Sequence, residues 1–354
     1  MTDRTFGILY KLVIVVLAVL AALAASSVIL LLIGANPFVT FYKMIFEPLT
    51  KIGHIREVLI RAVPLCLMAL GVSIASRSGI TNIGGEGQMY LGLIAYTGIA
   101  LFIPLPKPLS LIIGFLFAAL AGAFWGFIPG ILKAKLKVSE LLSTVMLNYI
   151  AAQMYTLCLR TVYLDPGDTG TPMSARLDKS YWLERISGPV HTGLILALVL
   201  AVLVWLLMFK TTTGYKLRAA GSGARAARYG GINVAMYVTL AMAISGAFAG
   251  LAGAVELAGV HRRAIEGITN NYGFSGVVVA LFGGLHPFGI IPASFFFGLL
   301  IYGSTFAATQ LSVPANIVQV MQGITIIVIV TMQMVLGNTY LQDRVRRRFI
   351  GGAK

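Results

Sequence analysis

A chain of 354 residues with 58% hydrophobic and only 11% charged side chains is no ordinary soluble domain, which would be about one-quarter charged. Its formal charge of +15 would point a soluble protein toward nucleic acid, but here the lysines and arginines cluster in loops between apolar runs and read as membrane orientation. Apolar runs of about 20 residues mean helices rather than a barrel, and no polar block is long enough to fold alone, so residues 1–354 read as one all-α membrane domain.

Leu12 to Ile33 reads as the first span, behind Arg4 and Lys11. Ala22 to Ser26 resembles a signal cleavage site, yet the apolar run resumes through VILLLI and is too long for a signal peptide, so an uncleaved anchor is expected. Gly34 to Glu57 reads as a mixed-charge loop with a partly buried aromatic portion between Phe38 and Phe46. The second span, Val58 to Ser76, is interrupted by Arg61 and Pro64.

Ser76 to Tyr90, SRSGITNIGGEGQMY, then places Arg77, Asn82, Glu86, Gln88 and four glycines between apolar runs. A bilayer tolerates such polarity only where protein covers the backbone or a watery cavity runs past it. A carboxylate there is by default a functional candidate, whereas a plain turn between spans is the simpler reading. The third span follows as Gln88 to Ile103, and the prolines of Pro104 to Pro108 stop both neighbouring helices.

The fourth span, Leu109 to Leu132, carries Gly122, Gly126 and Gly130 at four-residue spacing, a face for close helix packing. Lys133, Lys135 and Lys137 mark a cytoplasmic loop. The fifth span, Glu140 to Tyr163, contains Asn148, which could equally bond a neighbouring helix. Leu164 to Val190 reads as an irregular outer loop with Asp165, Asp168, Asp178 and Glu184 beside Arg176, Lys179 and Arg185.

His191 to Phe209 is the sixth span. Lys210 to Ile232 holds five basic residues and no acid, and Ala219 to Tyr229 within it is expected to form a short helix outside the bilayer. The seventh span, Asn233 to Val260, repeats the small-residue strip at Gly246, Gly250 and Gly253, with Glu256 near its outer end. Gly273 to Gly284 is short for a crossing, and GLHPFG separates it from Ile290 to Ala307. The last span is Ile317 to Leu336, followed by a tail with Arg344, Arg346, Arg347, Arg348 and Lys354. Placing most basic loops inside gives ten crossings, some broken or re-entrant, with both termini in.

Several chemistries lack their residues. There is no phosphate-cradling GxxxxGK[ST], so ATP is not held by this chain, and Gly221 and Gly223 make only half a dinucleotide fingerprint. Cys66 and Cys158 fall in apolar segments, and His54, His191, His261 and His286 are scattered without ligand spacing, so neither metal nor cofactor is expected. The scattered acids form no evident proton relay.

Four motifs, SRSGITNIGGEGQMYLG, LLSTVMLNYIA, GYKLRAAGSGARAARYGGI and GVVVALFGGLHPFG, resemble in order and spacing the permease subunits of bacterial ABC importers. The superfamily is that of the branched-chain amino acid and ribose permeases, and NIGGEGQ with TVMLNYIA is similar to its nucleoside branch. The resemblance runs from about Arg56 to Leu336; relatives often have an Asn-Pro-like turn and Ala where this chain has Ser222, Gly223 and Arg225.

That resemblance implies a multi-pass subunit of the bacterial inner membrane, with a second homologous permease, a cytoplasmic ATPase holding ATP and Mg, and a substrate-binding lipoprotein or periplasmic binding protein. Beyond membrane lipid and these proteins no partner is implied, and nucleic acid is not one. It makes Asn82, Glu86, Gln88 and Asn148 pathway or gate residues, with helix stitching as the alternative for each. It makes Gly214, Lys216, Arg218, Ala219, Ala220, Arg225, Ala226, Ala227 and Arg228 the segment coupled to the ATPase, against a purely topological role. Other cargoes, a sugar or riboflavin, stay open, as does an ion-coupled transporter working alone; an intramembrane enzyme is the most distant reading.

Overall fold

A computed structural model describes residues 3–32, 34–167 and 170–311, with a few helical positions between 320 and 332. They form two compact units, residues 1–51 with 299–354 and residues 52–298.

In the first unit, α1 (Asp3–Leu32) precedes a stretch where a loop is expected and helix is found. Asn36 caps α2 (Pro37–Phe41), its Oδ1 accepting from the amide of Phe38 at 3.0 Å, and Pro37 supplies a preset first turn. The chain continues as a π-helical turn, Tyr42–Phe46, and as α3, Glu47–Thr50. Its aromatics differ from expectation too, because Phe38, Tyr42 and Phe46 are exposed.

The second unit is built round α4 (Ile52–Arg77), which is buried without interruption from Ala62 to Ala75. A helix apolar on every side must be surrounded, and α11 (Val234–Val255), α12 (Tyr272–Phe282) and α8 (Gly193–Lys210) pack against it. Arg61, apparently an interruption, pairs with Glu57 one turn earlier at 2.8 Å, so α4 runs through it and through Pro64.

The glycine strips meet as their spacing predicts. A Cβ at Gly122 of α6 (Leu109–Leu136) would strike the carbonyl of Gly246 on α11, and one at Gly250 the carbonyl of Ala118. Without those side chains the two backbones come together, and close packing replaces the hydrophobic drive that lipid removes. The α6 helix also outruns its expected end, so Lys133 and Lys135 are helical; Lys133 pairs with Glu140 at 2.7 Å at the start of α7 (Glu140–Thr161).

The long polar insertion is irregular but anchored. Its single 3-10 turn, Lys179–Tyr181, offers the Tyr181 carbonyl to Tyr96 at 2.7 Å, while the Tyr181 hydroxyl donates to Ile103 at 2.6 Å at the end of α5 (Gly85–Phe102). A hairpin, β1 (Arg185–Ser187) with β2 (Val190–His191), ends it, so His191 lies in a strand rather than in the sixth span.

The expected single helix Ala219–Tyr229 is two, α9 (Thr212–Ser222) and α10 (Ala224–Tyr229), broken at Gly223. The seventh span ends in a second π-helical turn, Glu256–His261. GLHPFG separates α12 from α13 (Pro287–Leu311) as expected. Among the described residues six helices are long and apolar enough to cross a membrane: α4, α6, α7, α8, α11 with its π turn, and α13. The expected last span falls almost wholly outside the described residues, and the basic tail wholly so.

Candidate functional site

The polar stretch after α4 begins at one end of the second unit and reaches its interior. Gly79, at φ +78, lets the chain leave the helix, and residues 80–83 run without helical bonds to Gly84. Asn82 then stands beside Ser245, midway along α11, donating to its Oγ at 2.8 Å. The next helix, α5, therefore starts inside the bundle rather than at its rim.

Asn82, Gln88, Asn148 and Glu86 are brought together and almost wholly buried, none more than 6% exposed. Asn82 Nδ2 donates to Gln88 Oε1 at 2.8 Å, and Gln88 Nε2 returns a bond to Asn82 Oδ1 at 3.2 Å. Asn82 Oδ1 also accepts from the amide of Gly84 at 2.9 Å. From α7, Asn148 Oδ1 accepts from the amide of Gly87 at 2.8 Å, while its Nδ2 donates to the carbonyl of Ile83 at 3.0 Å.

Glu86 faces the other way. Its Oε2 accepts from the amide of Gly273 at 2.8 Å, so one carboxylate from the first turn of α5 caps the first turn of α12. Negative charge is favoured at a helix N-terminus, and a Cβ at Gly273 would collide with the Glu86 backbone. The polar groups thus form a knot joining α5, α7, α11 and α12, with their hydrogen-bonding capacity directed at protein.

The residues expected to couple to an ATPase form a second cluster. Thr211 Oγ1 accepts from Gly214 at 3.1 Å and starts α9, and Gly214 lies against the backbone of Leu207 and Met208. Ala220, Ala227 and Val234 are buried together, with Ala219, Ile232, Tyr237 and Val238 packed on them. Lys216, Arg225, Ala226 and Arg228 are exposed, and Tyr229 is 94% exposed.

The two clusters touch. A Cβ on Gly221 of α9 would strike the carbonyl of Arg77 and the amide of Gly79, so α9 lies directly on the end of α4 and the root of the polar stretch. Arg77 and Arg218 both lie 5.1 Å from the ring centroid of Phe209, and Arg77 Nε donates to the carbonyl of Leu285 at 2.7 Å. Sequence reasoning singled out both segments but missed Gly221, Phe209 and Leu285 as their joint. Gly221 signals itself only as a glycine in a helix, and nothing in sequence pairs it with a residue more than a hundred positions away.

At the far end of α8 and α11, a third set of polar groups gathers round Trp182. Arg176 lies 4.9 Å and Arg262 4.3 Å from the Trp182 ring centroid. Behind them His191 is buried, its Nδ1 accepting from the amide of Gly193 at 3.2 Å. Burial first, then the charges of Arg185 and Arg262, push its pKa down to about 4.

The sequence model of the branched-chain amino acid transport system/permease component family matches residues 54–330. The guanosine ABC transporter permease protein NupP of Bacillus subtilis is 35% identical over 332 residues, 92% of this chain and 94% of that one. The glucose ABC transporter permease protein TsgB13 of Haloferax volcanii is 34% identical over 319 residues, 86% of this chain and 83% of that one. The nucleoside ABC transporter permease protein NupB of Lactococcus lactis is 32% identical over 335 residues, 90% of each chain.

Proposed function

Because the chain belongs to the permease-component family of the branched-chain amino acid transport system, we propose that it carries nucleosides across a bacterial inner membrane as one half of an ATP-driven importer. Two relatives named for guanosine and for nucleosides support that cargo over glucose, the cargo in the name of the third. A second permease completes the route, a cytoplasmic ATPase holds ATP and Mg, and a binding protein delivers substrate from outside. Ten crossings with both termini inside put Lys210 to Ile232 on the ATPase side.

The observation that carries the reading is the contact of Gly221 with Arg77 and Gly79. Closure of the ATPase would push on the exposed residues Lys216, Arg225, Ala226 and Arg228. Their helices rest on the root of the polar stretch, so the push reaches Asn82, Gln88, Glu86 and Asn148 through backbone rather than flexible side chains. The knot acts as a gate element that tips α5, α7 and α12 together, while the cargo passes between this chain and its partner. No covalent step is assigned to this chain.

Vesicles holding both permeases and the ATPase, supplied with binding protein outside and ATP at the ATPase, should accumulate labelled guanosine. Excess adenosine should compete and excess glucose should not. Accumulation by this chain alone, driven by a proton or sodium gradient, would overturn the reading in favour of a secondary transporter.

A further inference from the structure

The Trp182 cluster is not used by that mechanism, and its chemistry asks for a partner. Arg176 and Arg262 lie on the Trp182 ring, and Arg185 is close enough that its charge acts on both Arg262 and His191. Arg56 joins them across the hairpin turn, its side chain lying against Gly188. Among the described residues none of these four arginines has an ion pair. The acids nearby in sequence are engaged elsewhere: Asp178 accepts from the amide of Ser180 at 2.7 Å, and Glu184 lies 3.9 Å from Lys107.

The groups inside the cluster are donors left over. Arg262 Nε is buried without an acceptor. His191 Nδ1 is already an acceptor, so the neutral ring carries its proton on Nε2, and that atom too is buried without a partner. Arg262 is held in the left-handed region at φ 60, uncommon for a residue with a side chain. Its backbone is tied down on both sides, accepting from Leu177 at 3.0 Å and donating to Leu257 at 2.7 Å. Four like charges on a fixed frame, without an acid among them, are stable only while something outside supplies the negative charge.

We propose that this surface, Arg56, Arg176, Arg185 and Arg262 around Trp182, is where carboxylates of the solute-binding protein dock. The identity of that partner rests on the importer reading, since the cluster lies at the opposite end of α8 from the ATPase-coupling segment. Stacking fixes the guanidinium planes and leaves their edges free, the geometry that takes a carboxylate through two parallel hydrogen bonds. Arginine beside tryptophan is also the composition of energetic centres at protein interfaces. Anionic lipid is the competing occupant, but a lipid phosphate would not need a stacked, planar donor held above an ordered loop.

The test uses the complete importer in lipid nanodiscs and the binding protein that supports its guanosine uptake. Arg176 is exposed, so Arg176→Glu should leave folding, assembly and basal ATP hydrolysis unchanged. It should weaken binding-protein association at least about tenfold at low salt, flatten its salt dependence, and lower uptake in step. Arg262→Gln, with melting recorded alongside, should act in the same direction. Unchanged affinity in an assembled Arg176→Glu importer would overturn the proposal. So would unchanged affinity accompanied by loss of anionic lipid from the purified complex, which would assign the surface to the bilayer. Uptake needing no binding protein would instead overturn the importer reading itself.

Discussion

At each end of α8 two arginines share one aromatic ring, yet the pairs are built differently. Near Phe209, Arg77 donates to the carbonyl of Leu285 and the pair is closed in by α9, whose Gly221 lies on the Arg77 backbone. Near Trp182, Arg176 is exposed and Arg262 keeps a buried Nε without an acceptor. The first pair is a joint between parts of one chain; the second has its chemistry only half completed by the chain. Counting positive charges along the sequence treats the two alike. What separates them is whether the hydrogen-bonding edges of the guanidinium groups are spent inside the fold.

The harshest way to break the inner joint is Gly221→Leu. The atoms it would meet are backbone, which cannot step aside, so uptake should fall to background while the rest of the bundle still inserts. Guanosine uptake by the reconstituted complex measures it, and near-normal rates would show that α9 moves independently of α4.

On the other side His191 reports the integrity of the Trp182 surface through pH. Its pKa is lowered from 6.5 to about 4 in the fold, so between those values the unfolded chain binds a proton that the folded chain refuses. Stability should be complete above pH 6.5 and fall as the pH drops toward 4, by up to about 3 kcal/mol. Thermal melting across that range should show the slope, and His191→Gln should flatten it. An equally steep slope in the variant would assign the effect to other groups.

Between the two ends, Glu86→Ala should cost roughly 1–3 kcal/mol, because the amide of Gly273 is left buried without its acceptor. Uptake should drop while the complex still assembles, and wild-type uptake would reduce Glu86 to a structural cap. The gentlest change is on the exposed coupling surface. Ala226 is exposed and Ala227 is buried against Ala220 and Val234. Ala226→Trp should keep fold and orientation but weaken ATPase co-purification by about tenfold. Equal co-purification would leave only a topological role for these charges.

Much of this was legible in the residues. Four-residue glycine spacing on two segments foretold their apposition, and the run from Asn82 to Gln88 stood out because polar groups are costly in a bilayer. Family membership followed from four motifs spread over most of the chain. Three kinds of feature did not show. The helical turns from Pro37 to Thr50 were hidden by a mixed composition that reads as loop. The break at Gly223 depends on α10 folding back onto Val234, a tertiary contact that helix propensity does not contain. The Trp182 surface draws on Arg56, Arg176, Arg185 and Arg262, and no periodicity links such separate positions.

The π-helical turn Glu256–His261 carries one further consequence, for insertions and deletions. Such a turn holds one residue more than the α-helix it interrupts, so it fixes the angle at which the chain leaves α11. Deleting a single residue there would let α11 continue as ordinary helix, turning everything beyond it by about 100° round the axis. Arg262 would then swing off Trp182, and the backbone bonds from Leu177 and Leu183 to Arg262 and Ala258 would lose their register. Length at this one turn should therefore be far less tolerant of change than residue identity: substitutions among its small side chains can be absorbed, but a one-residue frame shift cannot.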